Sequence, residues 1–93
     1  MLKPTKYGLK EYEKAVIICA IRAGYKKCEC VAKGGSRYAF RLYQLEKDLV
    51  PCEIWTIDVE HAKKKRIYPR DFKKSWEHLG IKEEEFLAVI ENL

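Results

Sequence analysis

A chain of 93 residues has room for one domain with a single modest core. With 47% hydrophobic and 35% charged residues it carries enough apolar surface to offset the entropy of folding, which excludes a disordered chain. All 19 Lys and Arg lie in residues 1–82 beside only ten of the 14 acids, so this body favours a polyanionic partner such as nucleic acid, or an acidic protein.

The N-terminal stretch MLKPTKYGLKEYEK has lysines with no apolar segment behind them, so no secretory leader is expected. The longest apolar run, Ala15–Ile21, is far too short to cross a membrane. A cytoplasmic protein without a membrane partner is expected.

The first element is a helix over about Leu9–Ala23. Leu9, Tyr12, Val16, Cys19, Ala20 and Ala23 follow helical spacing, and the centre, AVIICAI, is apolar nearly all round, which predicts burial on a wide face. Gly24 supplies the stop. Residues 25–33 then fit a strand, Gly34-Gly35 a two-residue turn able to take positive φ, and residues 36–45 a second strand. In that second strand Tyr38, Phe40 and Leu42 share one face, and Arg37, Ala39, Arg41 and Tyr43 the other. Residues 46–51 read as a loop. Cys52–Val59 form a third strand with Trp55, Ile57 and Val59 on one face; Ile54 opposite them leaves the inner face open.

The polar connection HAKKKRIYPRD leads to a second helix starting near Pro69–Asp71 and ending at Gly80, with Phe72, Trp76 and Leu79 on one stripe. A last helix covers about Lys82–Leu93, with Glu83, Glu84 and Glu85 in the first turn, where the helix dipole favours them. The expected class is α+β, in the order α-β-β-β-α(-α). The strands form a three-stranded antiparallel sheet with the helices packed on one face.

Four cysteines, Cys19, Cys28, Cys30 and Cys52, form no CxxC motif. Cys28 and Cys30 fall on one face of their strand, and the pair has no matching ligand pair elsewhere. Reduced, buried thiols are expected rather than a metal site or disulfides. No P-loop, GxGxxG motif or paired-carboxylate site stands out, and no cofactor is expected. Asp58 and Glu60 beside the lysines read as local charge balance.

The order of elements, the segment KGGSRYAF (33–40), the strand-end His61 and the segment HLGIKEEEFL (78–87) resemble the HicA family of small toxins. The resemblance runs from about Leu9 to Leu87. It implies a double-stranded-RNA-binding-domain-like fold, ribosome-independent cleavage of mRNA, and control by an antitoxin partner. The chain departs from the family where members carry a histidine after the Gly-Ser of the turn, because Arg37 and Tyr38 stand there. Arginine stays protonated near neutral pH and cannot shuttle a proton, so the family's catalytic role does not carry over to it.

Two basic regions are the candidate RNA contacts. Lys33, Ser36 and Arg37 at the hairpin could hold a phosphate, with the two glycines allowing close backbone approach. Lys63, Lys64, Lys65, Arg66 and Arg70 put five cations in eight residues just before a helix start, where an anion would also meet the helix dipole. The plain alternative for both is a charged surface kept soluble. Arg41 and Tyr43 share the sheet face of Arg37 and could add a stacking ring. His61 is the one histidine placed for general base work and is the catalytic candidate, with cations nearby to stabilise developing charge. His78, at a helix C-terminus, only complements the dipole. The sequence thus reads as a small RNA-binding protein, non-catalytic or a weak ribonuclease. The competing reading is a protein-interaction module whose basic face meets an acidic, antitoxin-like partner.

Overall fold

The computed structural model describes residues 3–93. The elements are α1 (Leu9–Arg22), β1 (Lys27–Gly34), β2 (Arg37–Tyr43), β3 (Glu53–Asp58), α2 (Pro69–Phe72), α3 (Lys74–Leu79) and α4 (Glu83–Glu91). The class is α+β, with the strands in the antiparallel order β1-β2-β3 and the helices against the sheet.

The pleat sorts the side chains as the alternation requires. Phe40 faces Cys30 and Trp55, Tyr38 faces Ile57, and Leu42 faces Cys28. This is the inner face, so Trp55 and Ile57, not Ile54, point to the helices. Tyr12 of α1 sits at the centre of the core, edge-on to Phe40 and Phe86, with its ring 5.9 Å from Phe72. Burial of each such ring contributes on the order of 2–3 kcal/mol. The buried Tyr12 hydroxyl accepts from Trp55 Nε1 at 3.1 Å, so the core carries no orphaned indole N–H. Of α1's apolar sequence only one side is covered: Tyr12, Ala15, Val16, Cys19 and Ala20 are buried, whereas Ile21 is exposed.

Two boundaries differ from the sequence pattern. The hairpin turn is Gly35-Ser36, one residue later than expected: Gly34 remains in β1, pairs with Arg37 across a register shift, and takes φ +102°. Gly35 at φ +58° then supplies the left-handed turn residue. The single helix expected from Pro69 to Leu79 is split at Lys73. The Ser75 hydroxyl bonds the Phe72 carbonyl at 2.9 Å, occupying the acceptor that an unbroken helix would give to the Trp76 N–H. Gly80 at φ +71° closes α3 as expected.

Beyond β3 the sheet continues sideways through single bridges. The Val59 N–H donates to the Ser36 carbonyl at 3.0 Å, and Val59 pairs with Ile67. Ile67 in turn exchanges hydrogen bonds with Thr5 and Tyr7, and Gly8 pairs with Arg66. The basic connection is therefore tied on both sides rather than left as an open loop. No helix among the described residues is long and apolar enough to cross a membrane.

Candidate nucleic-acid interface

The bridge from Ser36 to Val59 brings together the two basic regions that the sequence keeps about 25 residues apart. Gly35, Ser36 and Tyr38 from the hairpin and Glu60, His61 and Lys65 from the connection line one open cleft of about 370 Å³. His61 and Lys65 of the lining are exposed, and so are Lys33, Arg37, Lys63 and Lys64, one or two residues from it in sequence.

The cations differ in how free they are. Arg66 grips Glu60 with its Nε at 2.5 Å and a second nitrogen at 3.2 Å, and its backbone N–H also reaches that carboxylate. This fork holds the Glu60 carboxyl below its ordinary range, and it staples the connection shut. Arg66 is thus a structural clamp more than a free phosphate ligand. Arg37 lies 3.5 Å from Asp58, both largely exposed, so the pair is weak and easily exchanged for a phosphate. Lys65 donates to the Tyr38 hydroxyl at 2.8 Å, with its own backbone at φ +50°. Lys33, Lys63 and Lys64 make no ion pair among the described residues.

Three candidates are placed differently from the sequence reading. Tyr43 offers no open ring: Lys27 lies over it, 4.2 Å from the ring centre, and its hydroxyl donates to Glu29. That bond to a carboxylate keeps the phenol proton on and pushes its pKa up. Arg41 stands half-buried on the same outer sheet face, away from the cleft lining. Arg70 sits in α2, a single turn, whose Asp71 carboxylate is already taken up by the Asp58 N–H at 3.0 Å and by Lys74 at 2.9 Å. With only four residues, α2 offers an anion little of the helix-start pull expected there.

His61 is exposed at the mouth of the cleft and makes no hydrogen bond to another side chain. It lacks the orienting partner that a general base is normally given. His78, by contrast, is fixed: its Nδ1 is 2.7 Å from Glu53 and its ring stacks flat on Trp55, 5.1 Å between centres. The sequence reading missed this pair, since nothing in the spacing of residues 53 and 78 signals it.

The thiols are all free, but the expectation that they are buried holds in full only for Cys19: Cys28 and Cys30 are half-buried and Cys52 is exposed. Burial first, then nearby charge, pushes Cys28 up to about 12 and Cys30 up to about 11, which keeps both protonated and inert at neutral pH. Among the described residues no group of three or more His, Cys, Asp or Glu side chains is placed to hold a metal ion.

Helix α4 runs antiparallel to α1: Glu85 borders a hollow with Arg22 at the end of α1, and Glu91 borders one with Lys6 and Glu11 at its start. The first-turn acids Glu83–Glu85 thus sit at the end opposite the cleft. Compared with known protein families, curated proteins and solved structures, the chain matches none.

Proposed function

We propose that this domain binds RNA through its phosphate backbone at the end formed by the hairpin turn and the 60–66 connection, and that it does so in the cytoplasm. The observation that carries the reading is the shared cleft, where Ser36 and Tyr38 meet His61 and Lys65, with the exposed Lys63 and Lys64 in the same connection. Lysines neutralise phosphates without reading base edges, so binding is salt-sensitive and weakly sequence-specific. The resemblance to HicA-type toxins supports an RNA partner, and Arg37 at the family's histidine position favours binding over cleavage. His61, exposed and without an orienting partner, fits a phosphate or base contact better than a general base.

The test is fluorescence anisotropy of a labelled single-stranded RNA titrated with protein from low to high NaCl. Affinity should fall with salt, each neutralised phosphate adding about 0.7 to the log–log slope. Replacing Lys63 and Lys64 by Gln should lower that slope by about 1.4. Absence of binding at low salt would sink the reading. On a denaturing gel the same RNA should stay intact; cleavage that disappears in His61→Ala would replace the binding reading with a nuclease.

A second reading rests on a different observation. Leu49 is 93% exposed and Val50 78% exposed, in the β2–β3 loop beside Leu45, at the end away from the cleft. Exposed apolar side chains of this kind mark protein interaction sites. A salt-resistant complex with one protein, without affinity for RNA, would favour it.

A further inference from the structure

Resting on the RNA reading, we infer that the phosphate track does not end at the cleft but continues onto the N-terminal segment, with Lys6 and Lys10 as further backbone contacts. No sequence spacing links these lysines to the others. The link is made by backbone pairing. The Ile67 N–H donates to the Tyr7 carbonyl at 2.9 Å, the Leu9 N–H to the Lys65 carbonyl at 3.1 Å, and Gly8 bridges Arg66. Contact is so close at this point that a Cβ on Gly8 would lie 2.7 Å from the Lys64 carbonyl oxygen. The residues on either side of that contact are Lys6 and Lys10 on one strand of chain and Lys63–Lys65 on the other.

The lateral order of backbone at this end is β1, β2, residues 59–60, residues 65–67, and residues 5–8. At about 4.8 Å between neighbours, the band from β1 to the N-terminal segment is about 19 Å wide. For a strand that keeps its bases stacked, at about 3.4 Å per nucleotide along the helix axis, it matches on the order of six nucleotides.

The charges on the added stretch are available. Lys6 and Lys10 are exposed, and neither makes an ion pair among the described residues. The Lys6 ammonium lies over the Tyr7 ring, 5.2 Å from its centre, a contact that a phosphate can share because the residue is exposed. The nearest acid on this segment, Glu11, is committed to the backbone N–H of Gly8 at 3.0 Å. Glu91 borders the same shallow hollow as Lys6 and Glu11 and also competes for the Lys6 ammonium.

The experiment uses the full chain and three double variants: Lys6→Gln with Lys10→Gln, Lys63→Gln with Lys64→Gln, and, as a far-end control, Lys26→Gln with Lys47→Gln. Each is titrated against labelled homopolymer RNAs of three, six and twelve nucleotides across a NaCl series, after matching circular dichroism spectra establish folding. The N-terminal pair should weaken binding to the longer RNAs about tenfold at moderate salt and remove about 1.4 from the salt slope. Binding of the three-nucleotide RNA should be little changed by it, and the control should match the wild type throughout. If the wild type binds no RNA, the functional reading itself falls. If the connection pair weakens binding and the N-terminal pair does not, only the extended track falls. Equal losses in all three variants would reduce the effect to net charge and overturn the track as well.

Discussion

Asp71 is where stability and site geometry meet. Its carboxylate is almost fully buried, accepting the Asp58 N–H at 3.0 Å and facing Lys74 Nζ at 2.9 Å. It thereby ties α2 to the end of β3, one residue before Val59 crosses to the hairpin turn. A hydrogen bond to a charged group contributes about 1.5–3 kcal/mol, and a partly exposed ion pair about 0–1 kcal/mol. Asp71→Ala removes both and strands a backbone N–H, so a loss of about 2–4 kcal/mol is expected. Asp71→Asn keeps an acceptor for that N–H and should cost roughly half as much. Lys74→Met leaves the N–H bond intact but also gives up the 2.9 Å bond to the Thr56 carbonyl, so it should cost about 1–2 kcal/mol, less than Asp71→Ala. Urea unfolding followed by tryptophan fluorescence reads the difference. With a slope of about 1–2 kcal/mol per molar, Asp71→Ala should lower the midpoint by 1 M or more. A Lys74→Met loss equal to or larger than that of Asp71→Ala would refute the assignment, because the ion pair would then outweigh the backbone bond.

Other outcomes follow from single contacts. Gly8→Ala forces a methyl to within 2.7 Å of the Lys64 carbonyl, so the connection must shift; a loss of about 1–3 kcal/mol and weaker RNA binding are expected by urea unfolding and anisotropy. Cys28 has a folded pKa raised by burial to about 12, so its contribution is complete below the ordinary thiol value near 8.5 and is lost as pH climbs from there toward 12. The wild type should therefore lose about 1–2 kcal/mol between pH 8 and pH 10 that Cys28→Ala does not lose, read from urea midpoints at the two pH values. Cys52 is exposed while Cys28 and Cys30 pack against the core, so iodoacetamide followed by mass spectrometry should label Cys52 first.

The fold was legible because its signals are local. Helical spacing around Tyr12 and Val16, strict alternation in 37–43 and a left-handed stop at Gly80 each need only their own neighbours. The two shifts came from side-chain and backbone detail that periodicity does not carry. Ser75 bonds back to Phe72 and breaks a helix whose apolar stripe is continuous. Two glycines in a row leave the turn register undetermined, and the pairing of Gly34 with Arg37 decides it. The inner face of β3 was undecidable from Ile54 against Trp55, since both faces hold apolar residues. It is decided by Phe40, which lies flat against Trp55 with ring centres 5.3 Å apart.

The candidate site was legible by composition and not by contact. A run such as KKKR announces charge, but it does not say which cation is already spent. Arg66, the best phosphate fork of the run, is closed on Glu60, six residues away across a turn whose shape no pattern predicts. Tyr43, the natural stacking ring on the open sheet face, is covered by Lys27 from a strand sixteen residues earlier. The unassuming lysines are the free ones, Lys63 and Lys64. Lys6 and Lys10 join them only because residues 5–8 pair with residues 65–67 from the other end of the chain. An interface built from such groups is set by topology: the fold collects charges that have no sequence relation and leaves the strongest local signals occupied with holding its own backbone. Its hallmark is binding energy spread over several weak, salt-screened contacts, with no single substitution abolishing it.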